Sequence, residues 1–94
     1  MNIQDILKED DVTIIDVREP YEYMTDRVYD AVNMPLSRFG DFIEEIKNMN
    51  GKKVFYCRSG NRSGQAVNYL KSVGVEDVYN GGSLIMMQSF LLPQ

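Results

Sequence analysis

The chain is predicted to fold as α/β, with a central, mostly parallel sheet and helices on both faces. Three observations lead there. Strand-like and helix-like segments alternate over short connections, the pattern of parallel strands joined by crossover helices. The run Val12-Thr13-Ile14-Ile15-Asp16-Val17 is β-branched and almost continuously apolar, as a strand buried on both faces requires. Residues with chemical capacity (Asp16, Arg18, Cys57 and the pair Gly81-Gly82) follow predicted strand ends. Sites in such sheets lie at the carboxyl ends of strands, so these residues are expected to share one rim.

Each element has its own signal. Ile3, Ile6 and Leu7 have helical spacing and predict a short N-terminal helix. Pro20 opens a helical turn running to about Asp26, because proline suits a first helical position. Ala31 to Met34 reads as a short strand ended by Pro35. Ser37 is the expected N-cap of a helix through Lys47, with Phe39, Phe42, Ile43 and Ile46 as its apolar face. Asn50-Gly51 is a turn, and Lys53 to Tyr56 is the strand that delivers Cys57. A helix begins at Ser63, carries Ala66, Val67, Tyr69, Leu70 and Val73, and ends at Gly74. Val75 to Tyr79 is a last strand and Gly81-Gly82 a turn. The apolar tail Leu84 to Leu92 is expected to pack as a final helical turn, or, if half-buried, to form a docking or dimer surface.

Composition narrows the function. The 94 residues are expected to make one domain, residues 1–94, with little room for a second site. No apolar run approaches the ~18 residues of a membrane span. The start Met1-Asn2-Ile3-Gln4-Asp5 lacks the basic and apolar stretches of a signal peptide, so a cytoplasmic location is expected. A net charge of −4 argues against nucleic acid as a partner, since phosphate binding needs a basic face. There is no histidine, which excludes Cys-His proteolysis and His-containing zinc sites. No metal or cofactor is expected, and a monomer is. The single cysteine has no internal disulfide partner, so whatever it picks up must leave to an external acceptor.

That cysteine lies in the most informative stretch, Val54-Phe55-Tyr56-Cys57-Arg58-Ser59-Gly60-Asn61-Arg62-Ser63-Gly64. A β-prone run ends at Cys57, a polar loop follows, and a helix starts. Strand, tight loop and helix N-terminus together cradle an anion, because backbone N–H groups converge and the helix dipole adds positive potential. Helix N-termini and nearby arginines lower thiol pKa to roughly 3.5–7.5, so Cys57 is expected to be largely thiolate. A buried structural cysteine would have no need of Arg58, Gly60 and Arg62 beside it.

Cys57-Arg58-Ser59-Gly60-Asn61-Arg62-Ser63 resembles the active-site loop of single-domain rhodaneses, the thiosulfate sulfurtransferase family. Asp16-Val17-Arg18-Glu19-Pro20-Tyr21-Glu22-Tyr23 is similar to the family's early strand-exit motif. Asn33-Met34-Pro35-Leu36 is similar to the short strand and turn that come next, and Gly81-Gly82 to a glycine pair near the C-terminus. The resemblance runs from about Ile15 to Gly82 and implies a rhodanese-like fold.

It also implies chemistry. Cys57 would attack the sulfane sulfur of an anionic donor such as thiosulfate, forming a persulfide. A thiol, a protein cysteine or cyanide would then remove the sulfur, giving ping-pong kinetics. The donor and persulfide would be held by Arg58, Ser59, Gly60, Asn61, Arg62 and Ser63, with loop N–H groups from Arg58 to Ser63 aimed at the terminal sulfur. Arg58 is expected to face the entrance. Arg62 either closes the loop on a carbonyl or carboxylate or binds the donor, and Glu22 is a possible partner for an arginine there. Ser63 is a hydroxyl donor or only an N-cap. Asp16 and Arg18 are read as support for the loop ahead of catalysis. Two other readings stand beside this one. A persulfide carrier would serve one protein partner. A phosphatase or arsenate reductase-like enzyme would need the wider C-x5-R loop of cysteine phosphatases, whereas Cys57 to Arg62 is C-x4-R.

The chain departs from the family in two places. Arg27-Val28-Tyr29-Asp30-Ala31 stands where many members carry His-Ile-x-Gly-Ala, placing a positive charge either near the site or on the surface. A tryptophan common after the glycine pair is replaced within Ser83-Leu84-Ile85-Met86-Met87, which predicts an aliphatic pocket wall.

Overall fold

The computed structural model describes residues 2–92. The elements, in chain order, are α1 (Ile3–Ile6), β1 (Val12–Asp16), α2 (Pro20–Thr25), β2 (Val32–Asn33), a 3₁₀ helix (Leu36–Phe42), α3 (Ile43–Lys47), β3 (Lys52–Cys57), α4 (Asn61–Ser72), β4 (Val78–Ser83) and α5 (Leu84–Phe90). The four strands form one sheet in the order β2-β1-β3-β4, every pair parallel. From β1 the chain crosses to one side and from β3 to the other. The carboxyl ends of β1 and β3 therefore flank the topological switch point, where a crevice opens.

Strand alternation divides the core into two apolar layers. Ile15, Val17, Phe55 and Cys57 pack with Phe39, Ile46, Ala66, Val67 and Leu70, from the 3₁₀ helix, α3 and α4. Val54 and Tyr56 pack on the other face with Ile6, Val28 and Met87, joined by Leu84 and Phe90 of α5. Helices thus cover both faces of a parallel sheet. Among the described residues no helix is long and apolar enough to cross a membrane.

Several local expectations are corrected. Val12, Thr13 and Ile14 are only half-buried, because the two-residue β2 pairs with Ile15 and Asp16 alone. The amino half of β1 therefore stands at the sheet edge, beside a groove of about 560 Å³ lined by these residues, Tyr29, Asp30 and Leu91. Ser37 caps no helix. Its hydroxyl donates to Glu19 Oε2 at 2.7 Å, and the chain winds there as a 3₁₀ helix broken at Arg38. The helix after the cysteine starts at Asn61, two residues before Ser63, and Gly60 is its N-cap. Tyr69 and Val73 lie on its exposed side.

The last strand is displaced as well. Asp77 takes a left-handed conformation (φ 59°), which delays strand pairing until Val78. Gly81 and Gly82 are not a turn but the end of β4, and Gly81 is the extra residue of a bulge: Phe55 pairs with Asn80 and Tyr56 with Gly82. A Cβ at Gly81 would sit 2.6 Å from Met87 Sδ and 2.8 Å from Val54 Cγ1. The tail forms a two-turn helix capped by the Ser83 hydroxyl, with Met87 buried and Ile85 and Leu92 exposed.

Candidate active site

Cys57 is the last residue of β3 and has no solvent-exposed surface. Beyond it the chain must reverse within three residues to start α4. Gly60 makes that possible with φ +96°, a conformation costly for residues bearing a Cβ. The reversal turns backbone N–H groups onto the sulfur: Gly60 N lies 3.0 Å and Ser63 N 3.4 Å from Cys57 Sγ. Ser63 Oγ is 3.5 Å away, and the start of the 12-residue α4 adds its dipole. Burial pushes the Cys57 thiol up. The Ser63 hydroxyl and the N–H groups of Ser63, Ser59 and Gly60 outweigh it, leaving the thiol below its ordinary value of 9.0.

The loop residues have separate fates. Arg58 and Ser59 are exposed. Asn61 N–H bonds Ser59 Oγ at 3.4 Å rather than the sulfur, and Asn61 Oδ1 accepts from Gln65 at 2.9 Å. Ser63 is fully buried and, as the third residue of α4, not an N-cap. Arg62 is clamped by Glu22, with Nη1–Oε1 2.8 Å and Nη2–Oε2 3.0 Å. The Arg62 guanidinium, against the opposing effect of burial, holds the Glu22 carboxyl at about 2. Glu22 also accepts the Glu19 N–H, so one carboxylate caps α2 and holds the first turn of α4.

Asp16 and Arg18 are brought to the same end of the sheet but not to the thiol. Asp16 pairs in register with Tyr56, so its side chain lies on the face opposite Cys57. There its carboxylate accepts from Arg18 Nη2 and from the Tyr56 hydroxyl, each at 2.7 Å. Arg18 continues to the Asp26 carbonyl, and Tyr56 Oη accepts the Val28 N–H at 3.0 Å. The cluster fastens the segment after α2 to the sheet. Arg27, at the histidine position of the family pattern, is itself exposed and lies over the ring of the half-buried Tyr23, 4.6 Å from its centre. Asp30 has φ 67°, which explains a glycine preference at that position.

Sequence reasoning missed Asn80. Its Nδ2 donates to the Gly60 carbonyl at 3.1 Å, and its Oδ1 accepts from Gly82 N at 3.0 Å and Ser63 Oγ at 2.7 Å. One amide therefore ties the cysteine loop, α4 and β4 together. Gly60 passes close to Gly82: a Cβ on Gly60 would lie 3.3 Å from Gly82 Cα. The sequence offered only an asparagine before two glycines, with no hint of a partner 20 residues earlier. Met86, where the wall was expected to be aliphatic, brings its Sδ to 3.3 Å from a Cβ built on Gly82. Among the described residues no cluster of three or more potential ligands could hold a metal ion.

Comparison with known proteins agrees with this architecture. The chain matches the family described as Rhodanese-like domain over residues 2–83. It is 39% identical over 92 residues to an uncharacterised protein of Synechocystis, covering 95% of this chain and 50% of that one. It is 37% identical over 71 residues to the thiosulfate sulfurtransferase PspE of Escherichia coli, covering 74% of this chain and 68% of PspE. A solved E. coli rhodanese with anions superposes with a TM-score of 0.71 at 34% identity, covering 80% of this chain and 89% of that one. The chain spans half the length of the Synechocystis protein, and between 24% and 34% of the tRNA uridine(34) hydroxylases that it also resembles. Strand order, cysteine loop and sequence agree: the chain belongs to the rhodanese-like domain family.

Proposed function

We propose that the protein is a sulfurtransferase that moves a sulfane sulfur from thiosulfate, or from a persulfide donor, to a thiophilic acceptor through a persulfide on Cys57. The observation that carries this reading is the convergence of the Gly60 and Ser63 N–H groups on Cys57 Sγ. Such donors stabilise a charge held on sulfur, each charge-assisted bond contributing roughly 1.5–3 kcal/mol when water is excluded. The Cys57 thiolate attacks the outer sulfur of thiosulfate. The Cys57–sulfur bond forms as the donor's sulfur–sulfur bond breaks, and sulfite departs with the electron pair. A thiolate or cyanide then attacks the terminal sulfur and regenerates the Cys57 thiolate. Gly60, Ser63 and Ser59 hold the charge. Asn61 braces the loop, and Arg62, engaged by Glu22, fixes where α4 begins. Arg58, exposed and next to Cys57, supplies the positive charge that draws an anionic donor toward an otherwise acidic protein. Asp16 and Arg18 support the sheet end. A cytoplasmic location belongs to the same reading, because the mechanism needs a reduced thiol.

A second reading, a carrier that delivers its persulfide to a protein cysteine, is favoured by the exposure of Tyr21 and Met24 on α2, the helix that also supplies Glu22. Both readings pass through the same intermediate. The reduced protein, freed of reductant and incubated with thiosulfate, is expected to gain the mass of one sulfur atom. Cyanide is expected to remove it, and Cys57→Ser never to acquire it. A wild-type protein that gains nothing from thiosulfate or from a small-molecule persulfide would overturn the proposal.

A further inference from the structure

We propose that Asn80 competes with the Cys57 sulfur for the hydroxyl hydrogen of Ser63, and is thus a positioning residue that sets how readily that sulfur becomes anionic. The inference starts from the orientation of the Asn80 amide, which neighbours of fixed polarity decide. A carbonyl can only accept, and that of Gly60 lies 3.1 Å from Nδ2; a backbone N–H can only donate, and that of Gly82 lies 3.0 Å from Oδ1. Turning the amide over would set donor against donor and acceptor against acceptor. Oδ1 is therefore the atom 2.7 Å from Ser63 Oγ, and because Oδ1 only accepts, Ser63 donates.

A serine hydroxyl has one hydrogen. With it committed to Asn80, Ser63 presents only lone pairs to Cys57 Sγ at 3.5 Å, so the neutral thiol donates to Ser63 and Ser63 to Asn80. Once the sulfur is charged, the hydroxyl stabilises it only by rotating its hydrogen off Asn80. Oδ1 tolerates the loss, since Gly82 N–H still serves it. The amide thus resists formation of the anion, while the fixed Gly60 and Ser63 N–H groups favour it.

Few other charges interfere. On α4 and its loop the charged groups near the thiol are Arg58 and Arg62, and α2 contributes Glu22, which is paired with Arg62. β4 and α5 carry no charged side chain between Val78 and Phe90. Arg38, Asp41, Glu44, Glu45 and Lys47, on the 3₁₀ helix and α3, are all exposed. Asp16, on β1, lies on the other face of the sheet, held by Arg18 and Tyr56.

The proposal deepens the sulfur-transfer reading, but its test reads the thiol directly. The rate of Cys57 alkylation by iodoacetamide, followed across pH, is compared for wild type, Asn80→Ala and Asn80→Asp. The same two substitutions are then made in a Ser63→Ala background. Asn80→Ala frees the hydroxyl, so alkylation at a pH below the thiol midpoint should rise about three- to ten-fold, the size of one hydrogen bond's net contribution. Asn80→Asp strengthens the competing acceptor and should lower that rate. The Asn80→Ala effect should vanish when residue 63 is alanine, whereas Asn80→Asp, whose carboxylate also opposes the thiolate through space, should lose only part of its effect there. An Asn80→Ala profile that stays in place or moves to higher pH overturns the proposal, as does an equal shift in the Ser63→Ala background. Should Asn80→Ala fail to fold, Asn80→Leu, which removes the acceptor while keeping a similar volume and adds no charge, is measured in both backgrounds in its place and decides by the same criterion. Absence of sulfur loading from any donor would sink the proposed function while leaving this titration intact.

Discussion

The Arg62 guanidinium is paired atom for atom with the Glu22 carboxylate across 40 residues of sequence, at 2.8 and 3.0 Å. The arginine that closes the cysteine loop is therefore fastened to α2. Glu22→Gln should destabilise the protein by about 1–2 kcal/mol at neutral pH, between the values of exposed and buried pairs, since the Arg62 side chain is a third exposed. The sign with pH follows from the lowered folded value of Glu22. Its contribution is present in full above the ordinary 4.5 and is lost as pH falls toward about 2. Urea denaturation of both proteins across that range checks this. A stability difference that does not shrink on acidification would exclude the ion pair as its source.

Glycine positions separate backbone need from ornament. Gly60→Ala combines φ +96° with a Cβ 3.3 Å from the Gly82 backbone. It should destabilise the protein by about 1–2 kcal/mol and move Cys57 alkylation to higher pH, because the Gly60 N–H turns away from the sulfur. Gly81→Ala meets Val54 and Met87 at under 3 Å and should cost about 1–3 kcal/mol by overpacking. Gly40→Ala, with nothing within 4 Å, should be neutral or stabilise by up to about 1 kcal/mol. Thermal or urea unfolding ranks the three, and a Gly60→Ala protein with an unchanged thiol profile would contradict the assigned loop geometry.

How much of this was legible in sequence follows the range of the interactions. Val12 to Asp16 and Lys52 to Cys57 announce themselves because a β-branched run in the first and Val54-Phe55-Tyr56 in the second need only near neighbours, and Gly74 ends α4 by its own φ of +85°. The cysteine loop was legible for the same reason: Gly60 and Ser63 reach the sulfur from three and six residues away. Features built from distant segments were not. Gly81-Gly82 looks like a turn until Val54 and Met87 are seen to exclude any side chain there. Ser63 looks like a cap until the Gly60 reversal starts the helix earlier. Asn80 carries no local signal, because all that defines it lies on Gly60, Ser63 and the next-but-one residue, Gly82. Asp16 and Arg18 were legible as residues of this end of the sheet, but not the face on which they lie, which only the register with Tyr56 decides.

The Asp16 cluster is expected to matter for folding and not for the thiol. Asp16→Asn leaves Arg18 buried with its charge uncompensated, a change that typically costs about 3–5 kcal/mol. The hydrogen bonds that Arg18 donates to the Asp16 carboxylate, together with its charge, hold the guanidinium above its ordinary range against the effect of burial, so arginine cannot escape by neutralising. Tyr56→Phe removes one hydroxyl and strands the Val28 N–H, and should cost about 1–2 kcal/mol. In the folded fraction of either variant, measured well below the unfolding transition, the pH profile of Cys57 alkylation should match wild type. A displaced profile would place Asp16 in the chemistry of the thiol.

Arg58 tests whether the donor is drawn in by charge. Among the described residues no carboxylate pairs with it, whereas Arg62 is held by Glu22, so Arg58 is the loop's uncommitted cation. It sits on a protein of net charge −4, against which a doubly charged donor must approach. An exposed charge acts mainly through encounter, an effect screened over ~8–10 Å at ordinary salt. Arg58→Ala should therefore lower kcat/KM for thiosulfate several-fold at low ionic strength, and the gap should close as salt is raised. Alkylation by neutral iodoacetamide, compared above the thiol midpoint where Cys57 is charged in both proteins, should change little, because its approach feels no such field. A loss that persists at high salt, or that appears equally with iodoacetamide, would mean that Arg58 shapes the loop itself and that donor selection lies elsewhere on the rim.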